Sequence, residues 1–490
     1  MSLPRRLCLT ALMLAAPLLA DEAPVMMDAR AIPVPPGSLP PAFAADPVNQ
    51  QPYDFQSQLD IYGAKHPNPT ARPLLELGRD LYGPGQLGPG IDLLGEKNLL
   101  SPQLLLYGDL RTAAAWNDNG GNDKGLVAMK ADLDLDLKLT ATERIHYAFT
   151  PLDRNGVVTS AQFAGQRPFV DHSMFDLTPD ALFFEGDLGR IAAGVTDRDN
   201  GLDLPFAVGL IPLLFQNGVW MEDAFKGIAF TIPARNSPAL QITNMDVTFF
   251  AGFDQVSTPA LLSDHQGAVF GLNTFIEAMG GYWELGYGYV KGSGASSDLS
   301  YHNVAAAYTH RYFDTVSNTV RVIGNFGQDP TPGTSPTADG VLLLMENSLV
   351  SSNPSVLVPY LNGWAGFHRP ESLARAAGAG GVLVNTGIVF ETDDMTGFPK
   401  LDDTGHNTYG AALGLEYLFD LHQQIVVEVA ALNAFGNPAE RTTPAAEYGA
   451  GIRWQRPLNN AWILRTDVIG AVREQQANLL GFRVELRRKF

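Results

Sequence analysis

Apolar and polar residues alternate along most of the chain after residue 103. The clearest case is 132–139 (Asp-Leu-Asp-Leu-Asp-Leu-Lys-Leu), where each second residue is leucine and each other residue is charged. Successive side chains of a β-strand point to opposite faces, so this segment predicts a strand with one apolar and one charged face. Its charged side chains cannot face lipid, so in a membrane the leucines must.

Similar strand-like runs recur up to the C-terminus. They comprise 104–116, 144–152, 183–195, 227–232, 246–253, 281–290, 301–313, 320–326, 356–367, 382–391, 409–419, 423–432, 448–455 and 461–468. With weaker candidates and the last strand, the total is roughly 14 to 20. Bacterial single-chain barrels have an even number of strands, so the sequence predicts about 16 to 18.

The last twelve residues, 479–490, alternate strictly and end on Phe490. One face carries Leu480, Phe482, Val484 and Leu486, and the other carries Arg483, Glu485, Arg487 and Lys489. This segment resembles the C-terminal signature of bacterial outer-membrane β-barrel proteins, whose final strand ends in Phe. Only Arg488, on the apolar face, departs from it.

The resemblance implies an all-β fold, a transmembrane antiparallel β-barrel whose chain ends in the periplasm. Such a wall must close, because lipid cannot satisfy an unpaired backbone group. The resemblance also implies as partners outer-membrane lipid and lipopolysaccharide, and the barrel-assembly machinery during biogenesis. Whether the barrel forms a homo-oligomer stays open.

The N-terminal region divides into two parts. Arg5 and Arg6, an apolar stretch over 7–19 and the small residue Ala20 predict a signal peptide over 1–20. Residues 21–102 are rich in Pro and Gly, which predicts a periplasmic arm or partial plug, with a short helix at 72–82. The barrel is then expected over 103–490. Cys8 is the only cysteine, so the mature chain has no disulfide or thiolate site.

Counting backward from a periplasmic Phe490 orients the C-terminal third. Short turns at 457–460 and 420–422 are then periplasmic, whereas 471–478, 435–446 and 392–407 are extracellular loops. Aromatic residues cluster near the short turns, where barrels carry an aromatic girdle. The predicted membrane-interface residues are Tyr417, Phe419, Trp454, Trp462 and Phe490.

The charged faces of these strands predict a lumen lined by ionisable groups. The candidate pore-lining residues are Asp109, Arg111, Asp132, Asp134, Asp136, Lys138, Glu416, Glu428, Arg453, Arg465, Asp467, Arg483, Glu485, Arg487 and Lys489. Rings of charge act as a filter in a water-filled pore. The formal net charge of −19 favours cations and repels nucleic acid. We therefore expect a porin-like channel for small hydrophilic solutes with a cation preference.

Acidic loops at 117–123, 197–203 and 393–403 are candidates for divalent ions, with solvated loop ends as the alternative. Ca²⁺ prefers oxygen ligands, which Asp197, Asp199, Asp203, Asp393, Asp394, Asp402 and Asp403 would supply. The run at 197–203 resembles a calcium loop, but its spacing is one residue short. If these loops bind Ca²⁺, bridging to lipopolysaccharide phosphates is the expected use; otherwise no cofactor is expected.

Three other functions compete with a channel. A barrel hydrolase would need a triad, yet the triplets 171–173 and 263–265 place adjacent residues on opposite faces. His146 and His310 are candidates for lumen-facing histidines. Since neither triplet forms a triad by itself, we expect no enzymatic activity. A non-conducting scaffold and an export component of a larger envelope assembly both stay open.

Overall fold

The computed structural model describes residues 71–78, 90–165, 170–332, 334–350, 356–419 and 423–490. The predicted signal peptide and most of the predicted arm lie outside the described residues. Within the described part of the chain, no helix has the length and apolar character needed to cross a membrane.

The strands form a barrel wall of 18 strands that closes on itself. This confirms the predicted all-β barrel and the upper of the two expected strand numbers. The strands are β1 (Leu75–Leu77), β2 (Gln103–Asn119), β3 (Asp123–Lys138), β4 (Arg144–Phe149), β5 (Asp153–Arg154), β6 (Val157–Gly165), β7 (Val170–His172), β8 (Pro179–Asp187), β9 (Pro205–Phe215), β10 (Met221–Ser237), β11 (Ile242–Asp254), β12 (Gly267–Ala278), β13 (Gly281–Gly292), β14 (Tyr301–Tyr312), β15 (Val316–Phe326), β16 (Val341–Leu349), β17 (Leu357–Phe367), β18 (Ala374–Arg375), β19 (Thr408–Phe419), β20 (Gln423–Ala434), β21 (Glu447–Pro457), β22 (Trp462–Arg473) and β23 (Leu479–Lys489).

The helical elements are short. In the described part of the chain, the α-helix α1 (Leu188–Thr196) lies between β8 and β9. The described 3-10 helices are Pro238–Leu240, Asp264–Gln266, Gly294–Ser296, Ala377–Ala379, Val384–Thr386 and Pro438–Glu440.

Closure of the wall joins the first long strand to the last. Strand β23 pairs antiparallel with β2 from Asp109↔Lys489 to Asn119↔Leu479. Two neighbouring wall strands are each interrupted. One consists of β4 and β6, which both pair with β3, and the next consists of β8 and β7, which pair with β4 and β6 respectively. We call the end of the barrel that holds Phe490 the lower end, which the C-terminal signature predicts to be periplasmic, and the opposite end the upper end.

The alternating pattern of the last strand places its side chains as predicted. Phe482 is 47% exposed on the outer face, whereas Arg483 is 2% exposed and points into the lumen. The exception, Arg488, lies on the outer face with its guanidinium 5.6 Å from the Trp462 ring centre. A cation over an indole face at the lower rim is stable there, which accounts for the departure from the apolar pattern.

Two predicted elements near the lower end are wrong. The run 183–195 is a strand only to Asp187, because the Asp187 side chain accepts a hydrogen bond from the Arg190 backbone N–H at 2.7 Å and starts α1. The described part of the predicted helix at 72–82 contains β1 instead. Its Leu75 pairs with Leu106 of β2, so ladder bonds replace helical ones.

Candidate functional site

The lumen is occupied by the segment that joins β17 to β19, residues 368–407, which we call the lumen loop. Its apolar side chains Leu373, Val389, Phe390 and Leu401 are almost fully buried against the inner faces of the wall strands. Phe390 meets Trp364 of β17 edge-on, with ring centres 5.1 Å apart. The predicted strand at 382–391 is therefore wrong, since this apolar run packs inside the barrel. The segment 392–407 lies in the lumen rather than outside.

A second segment also enters the lumen. The tip of the β9–β10 hairpin, residues 211–225, turns inward, and we call it the inward hairpin. The Trp220 indole N–H donates to the Asn303 side-chain oxygen on β14 at 2.8 Å. The Leu373 backbone N–H donates to the Trp220 carbonyl at 2.7 Å, and β18 of the lumen loop pairs in parallel with the start of β10. The two segments therefore brace each other.

Arginines of the wall hold two carboxylates of the lumen loop. Arg483 lies 2.8 Å from Asp393, and Arg465 lies 3.0 Å from Glu391. Arg453 also pairs with Glu391. Asp467 lies among the three arginines, 2.7 Å from Arg453 and 2.8 Å from both Arg465 and Arg483. We call these six side chains the arginine clamp.

Other contacts fix the loop to the rest of the wall. Glu428 of β20 accepts from the backbone N–H groups of Ile388 at 2.9 Å and Val389 at 3.0 Å. Four strands farther round the wall, the Asn117 amide of β2 donates to the Thr396 carbonyl at 2.9 Å, and across the barrel from β2 the Asn303 amide of β14 donates to the Glu371 carbonyl at 2.9 Å. The lumen loop therefore spans the barrel and narrows it.

The carboxylates of the lumen loop differ in the direction of their pKa shifts. Burial opposes ionisation of Asp393, but the Arg483 guanidinium outweighs it and keeps the pKa of this carboxyl below its ordinary value. Burial likewise opposes ionisation of Glu391, and Arg453 and Arg465 lower its pKa. Asp402 has no arginine partner in the part of the chain that the structure describes. Burial raises its pKa to about 6.

Charged side chains of β3, β5 and β8 gather beside the loop. Lys130 of β3 lies 3.5 Å from Asp132 and also pairs with Asp394 of the lumen loop. Asp153 and Asp180 interact electrostatically with the same ammonium group. Two carboxylates, Asp132 and Asp394, thus pair with one lysine, and those of Asp153 and Asp180 lie within electrostatic range of it. Both Asp132 and Asp394 stay partly exposed to the lumen.

The other predicted pore-lining charges also lie on the lumen face, many of them in pairs. Arg111 donates two hydrogen bonds to Glu485, at 3.1 and 2.9 Å, and Arg487 pairs with Asp109. Asp136 lies 3.9 Å from Arg144, and Glu416 accepts from the Gln424 amide. The remaining members, Asp134, Lys138 and Lys489, share these inward faces.

The predicted interface aromatics lie on the outer face near the lower end. Tyr417 and Phe419 meet edge-on with ring centres 4.5 Å apart, and Trp454 donates to Gln423 at 3.2 Å. The band continues on β14, where His310 stacks on Tyr308 with the ring planes 8° apart. The expectation of a lumen-facing His310 is therefore wrong. His146 does face the lumen, 3.2 Å from Glu185.

The candidate metal ligands are dispersed. Asp197 and Asp199 lie at the lower end after α1, where they accept from the Glu96 backbone N–H at 2.9 Å and from Lys97 at 3.1 Å. This end is predicted to be periplasmic, so these residues do not fit a bridge to lipopolysaccharide. Asp403 pairs with Lys400 inside the lumen. Among the described residues, no group of three or more His, Cys, Asp or Glu side chains could hold a metal ion.

The two candidate hydrolase triplets, 171–173 and 263–265, do not assemble a triad. The His265 ring lies 2.8 Å from Asp254 of β11, whereas the Ser263 hydroxyl accepts from the His265 backbone N–H. His172 lies on β7 opposite Ser160 of β6.

Sequence reasoning missed Glu391, Lys130 and the inward hairpin. Glu391 ends an apolar run that looked like a strand. Lys130 occupies the charged parity of β3 just before 132–139, so extending the alternation by one step would have found it. The hairpin carried one signal, Pro212 within an apolar run, because proline is excluded from central strands.

The closed wall, the apolar outer face and the charged lumen are those of a bacterial outer-membrane β-barrel. Similar solved structures are Acinetobacter baumannii OccAB4 (TM-score 0.50, 11% identity, covering 79% of this chain and 97% of that chain) and Pseudomonas aeruginosa OpdL (0.50, 12%, 79% and 98%). Pseudomonas aeruginosa OccK11 (OpdR) is comparable (0.50, 10%, 79% and 96%). Identities this low show a shared fold. No protein-family model and no curated protein matches the sequence.

Proposed function

We propose that the protein is an outer-membrane channel through which small hydrophilic solutes diffuse, with a preference for cations. The carrying observation is the charged group beside the lumen loop, where Asp132 and Asp394 pair with Lys130 and Asp153 and Asp180 interact with it electrostatically. We place the solute passage beside this group. A carboxylate-rich constriction raises the local concentration of cations and lowers that of anions.

The basic residues near the C-terminus do not offset this preference. Arg453, Arg465 and Arg483 each pair with a carboxylate of the clamp, and Arg111 pairs with Glu485. A guanidinium held between carboxylates contributes little net field to a nearby solute. We therefore assign the cation preference to the carboxylates near Lys130.

Planar-bilayer conductance of the refolded mature protein tests both parts of the proposal. We expect discrete channels and, in a KCl gradient, a reversal potential of the sign set by K⁺ permeation. Channels that prefer Cl⁻ would contradict the charge argument alone. The absence of conductance would contradict the channel and favour the non-conducting scaffold, in which the lumen loop is a plug.

A pair of variants locates the selectivity. The double variant Asp132→Asn/Asp180→Asn removes two carboxylates from the passage, and the reversal potential should move toward zero. Asp314→Asn removes an exposed carboxylate at a lower turn and should leave it unchanged. Equal shifts in both would show that the passage does not determine the selectivity.

A further inference from the structure

A pocket lies at the upper rim of the barrel, where β20 and β21 separate. The last rung between these strands is Leu432↔Glu447. Above that rung, the loop between β20 and β21 and the loop between β22 and β23 line a pocket with a volume of about 550 Å³. We call it the rim pocket. Its size is that of a small-ligand site.

The rim pocket lies at the height of the upper membrane interface. Asn433, which lines it, has the same parity on β20 as Val429, an outer-face residue that is 53% exposed. Its partner on β19 is Tyr409, which is 50% exposed, and the Phe435 ring centre lies 6.0 Å from that of Tyr409. Aromatic side chains on the outer face mark the boundary between hydrocarbon and headgroups. The pocket is therefore placed among lipid headgroups.

Arg441 supplies a positive charge to the pocket. Among the described residues, no carboxylate lies within ion-pair distance of its guanidinium, which donates to the Pro444 carbonyl at 3.3 Å. Its Nε atom is buried and has no hydrogen-bond partner in the same part of the chain. The arginines of the clamp, by contrast, are each paired with carboxylates. The charge of Arg441 is therefore available to an external anion.

Contacts with the lumen loop hold the Arg441 segment in position. The Glu440 carboxylate accepts from the Asn407 amide at 2.8 Å, and Arg369 donates to the Ala439 carbonyl at 2.7 Å. These contacts fix the short 3-10 helix that precedes Arg441 and direct Glu440 toward the lumen loop. A site that is ordered before binding loses less conformational entropy when its ligand arrives.

The other polar groups of the pocket suit a sugar. The side chains of Asn433, Glu474 and Gln475 line it and have no hydrogen-bond partner among the described residues. Amides and carboxylates form hydrogen bonds with hydroxyl groups, and an arginine binds phosphate through two parallel N–H···O bonds. Since Glu474 repels phosphate, the phosphate belongs beside Arg441 and the hydroxyl groups beside Glu474.

We propose that the rim pocket binds a phosphorylated glucosamine unit of the lipopolysaccharide headgroup. The Arg441 guanidinium contacts the phosphate, and Asn433, Glu474 and Gln475 contact the sugar. The acyl chains then run down the outer face along Val429. The upper end is the predicted extracellular end, where lipopolysaccharide is the expected lipid. This site does not depend on whether the lumen conducts.

Native mass spectrometry tests this on the mature protein refolded in detergent without lipopolysaccharide, with bisphosphorylated lipid A as the probe. Wild type should retain one lipid A at low probe concentration. Arg441→Gln should weaken retention by at least about tenfold, a loss of about 1.4 kcal/mol. Lys291→Gln is the matched control, because it removes an exposed positive charge from the outer face of the upper rim on β13.

Lipid A without its phosphates separates charge from shape. Wild type should retain it more weakly than the phosphorylated lipid, and Arg441→Gln should retain it as wild type does. Equal retention of phosphorylated lipid A by wild type and Arg441→Gln would overturn the site. An equal loss in Lys291→Gln would also overturn it, since any positive charge of the rim would then suffice.

Asn433→Trp provides an independent arm by filling the pocket. It should weaken retention of both lipids, whereas Val429→Trp, on the same face of β20 below the pocket, should retain both as wild type does. Full retention by Asn433→Trp would contradict the proposal. Equal losses in Val429→Trp would place the lipid in the general annulus and contradict it as well. Heat-dependent migration on a gel verifies that each variant has folded.

Discussion

The Arg483 guanidinium lies 2.8 Å from the carboxylates of both Asp393 and Asp467, and all three side chains are at most 5% exposed. Arg483 and Asp467 belong to the wall, whereas Asp393 belongs to the lumen loop. One side chain therefore joins the wall to the element that narrows it. We expect the width of the proposed passage to depend on this buried ion pair.

Arg483→Ala should loosen the lumen loop. It leaves the buried Asp393 carboxylate without its arginine and removes one of the three arginines around Asp467; loss of one partner of a buried pair costs about 3–5 kcal/mol. We expect larger and noisier single-channel conductance and a lower midpoint for heat-dependent gel migration. Arg488→Ala removes an arginine from the outer face of the same strand and should change neither conductance nor noise. An unchanged trace for Arg483→Ala would show that the apolar contacts of the loop suffice to hold it.

Asp402 should make stability fall as pH rises. Its Oδ2 atom is buried and has no hydrogen-bond partner among the described residues, and burial raises its pKa to about 6, whereas an unfolded Asp titrates at about 4. Between these values the folded protein keeps a proton that the unfolded chain has lost, so stability declines over this interval and then levels off.

Asp402→Asn should remove that decline and stabilise the protein at pH 8, by at most about 2–3 kcal/mol. The measurement is the thermal midpoint of gel migration at pH 4.5, 6 and 8. Asp203→Asn, which changes an exposed carboxyl at the lower end, is the control and should keep the wild-type profile. A wild-type decline that persists in Asp402→Asn would assign it to another group.

Lys130→Gln should strengthen the cation preference. The substitution removes the one ammonium among the four carboxylates of the passage, so the local potential becomes more negative. Reversal potentials in a KCl gradient should move toward the value for an ideal cation-selective channel. Lys226→Gln, on the outer face, is the control for a loss of one positive charge. A shift toward anions in Lys130→Gln would place the conducting route elsewhere in the lumen.

Gly227→Ala should destabilise the barrel. A Cβ at this position would lie within 3.0 Å of the Ala251 carbonyl oxygen, a backbone atom of the neighbouring strand that cannot move alone. We expect a lower thermal midpoint and slower refolding. Gly470→Ala is the control, because its Cβ would meet nothing closer than the Leu480 side chain at 3.9 Å. Equal midpoints for the two variants would show that a side chain is tolerated where the inward hairpin leaves the wall.

Much of the candidate site was predictable because a strand has a fixed period. Once Phe482 is assigned to lipid, Arg483 must face the lumen, and the same reasoning places Asp132 and Arg465. The period does not say which inward charges meet. Arg453, Arg465 and Asp467 form one network only because β21, β22 and β23 pair in the observed register.

The sequence by itself determined the class of the protein, the closed wall and the face of most charged residues, because alternation and backbone pairing are local requirements. Only the tertiary structure decided that 382–391 and 211–225 lie inside the barrel. An apolar run can be buried against lipid or against the lumen wall, and local periodicity does not distinguish the two. Partners distant in the chain, such as Asn303 for Trp220 and Arg483 for Asp393, made that choice.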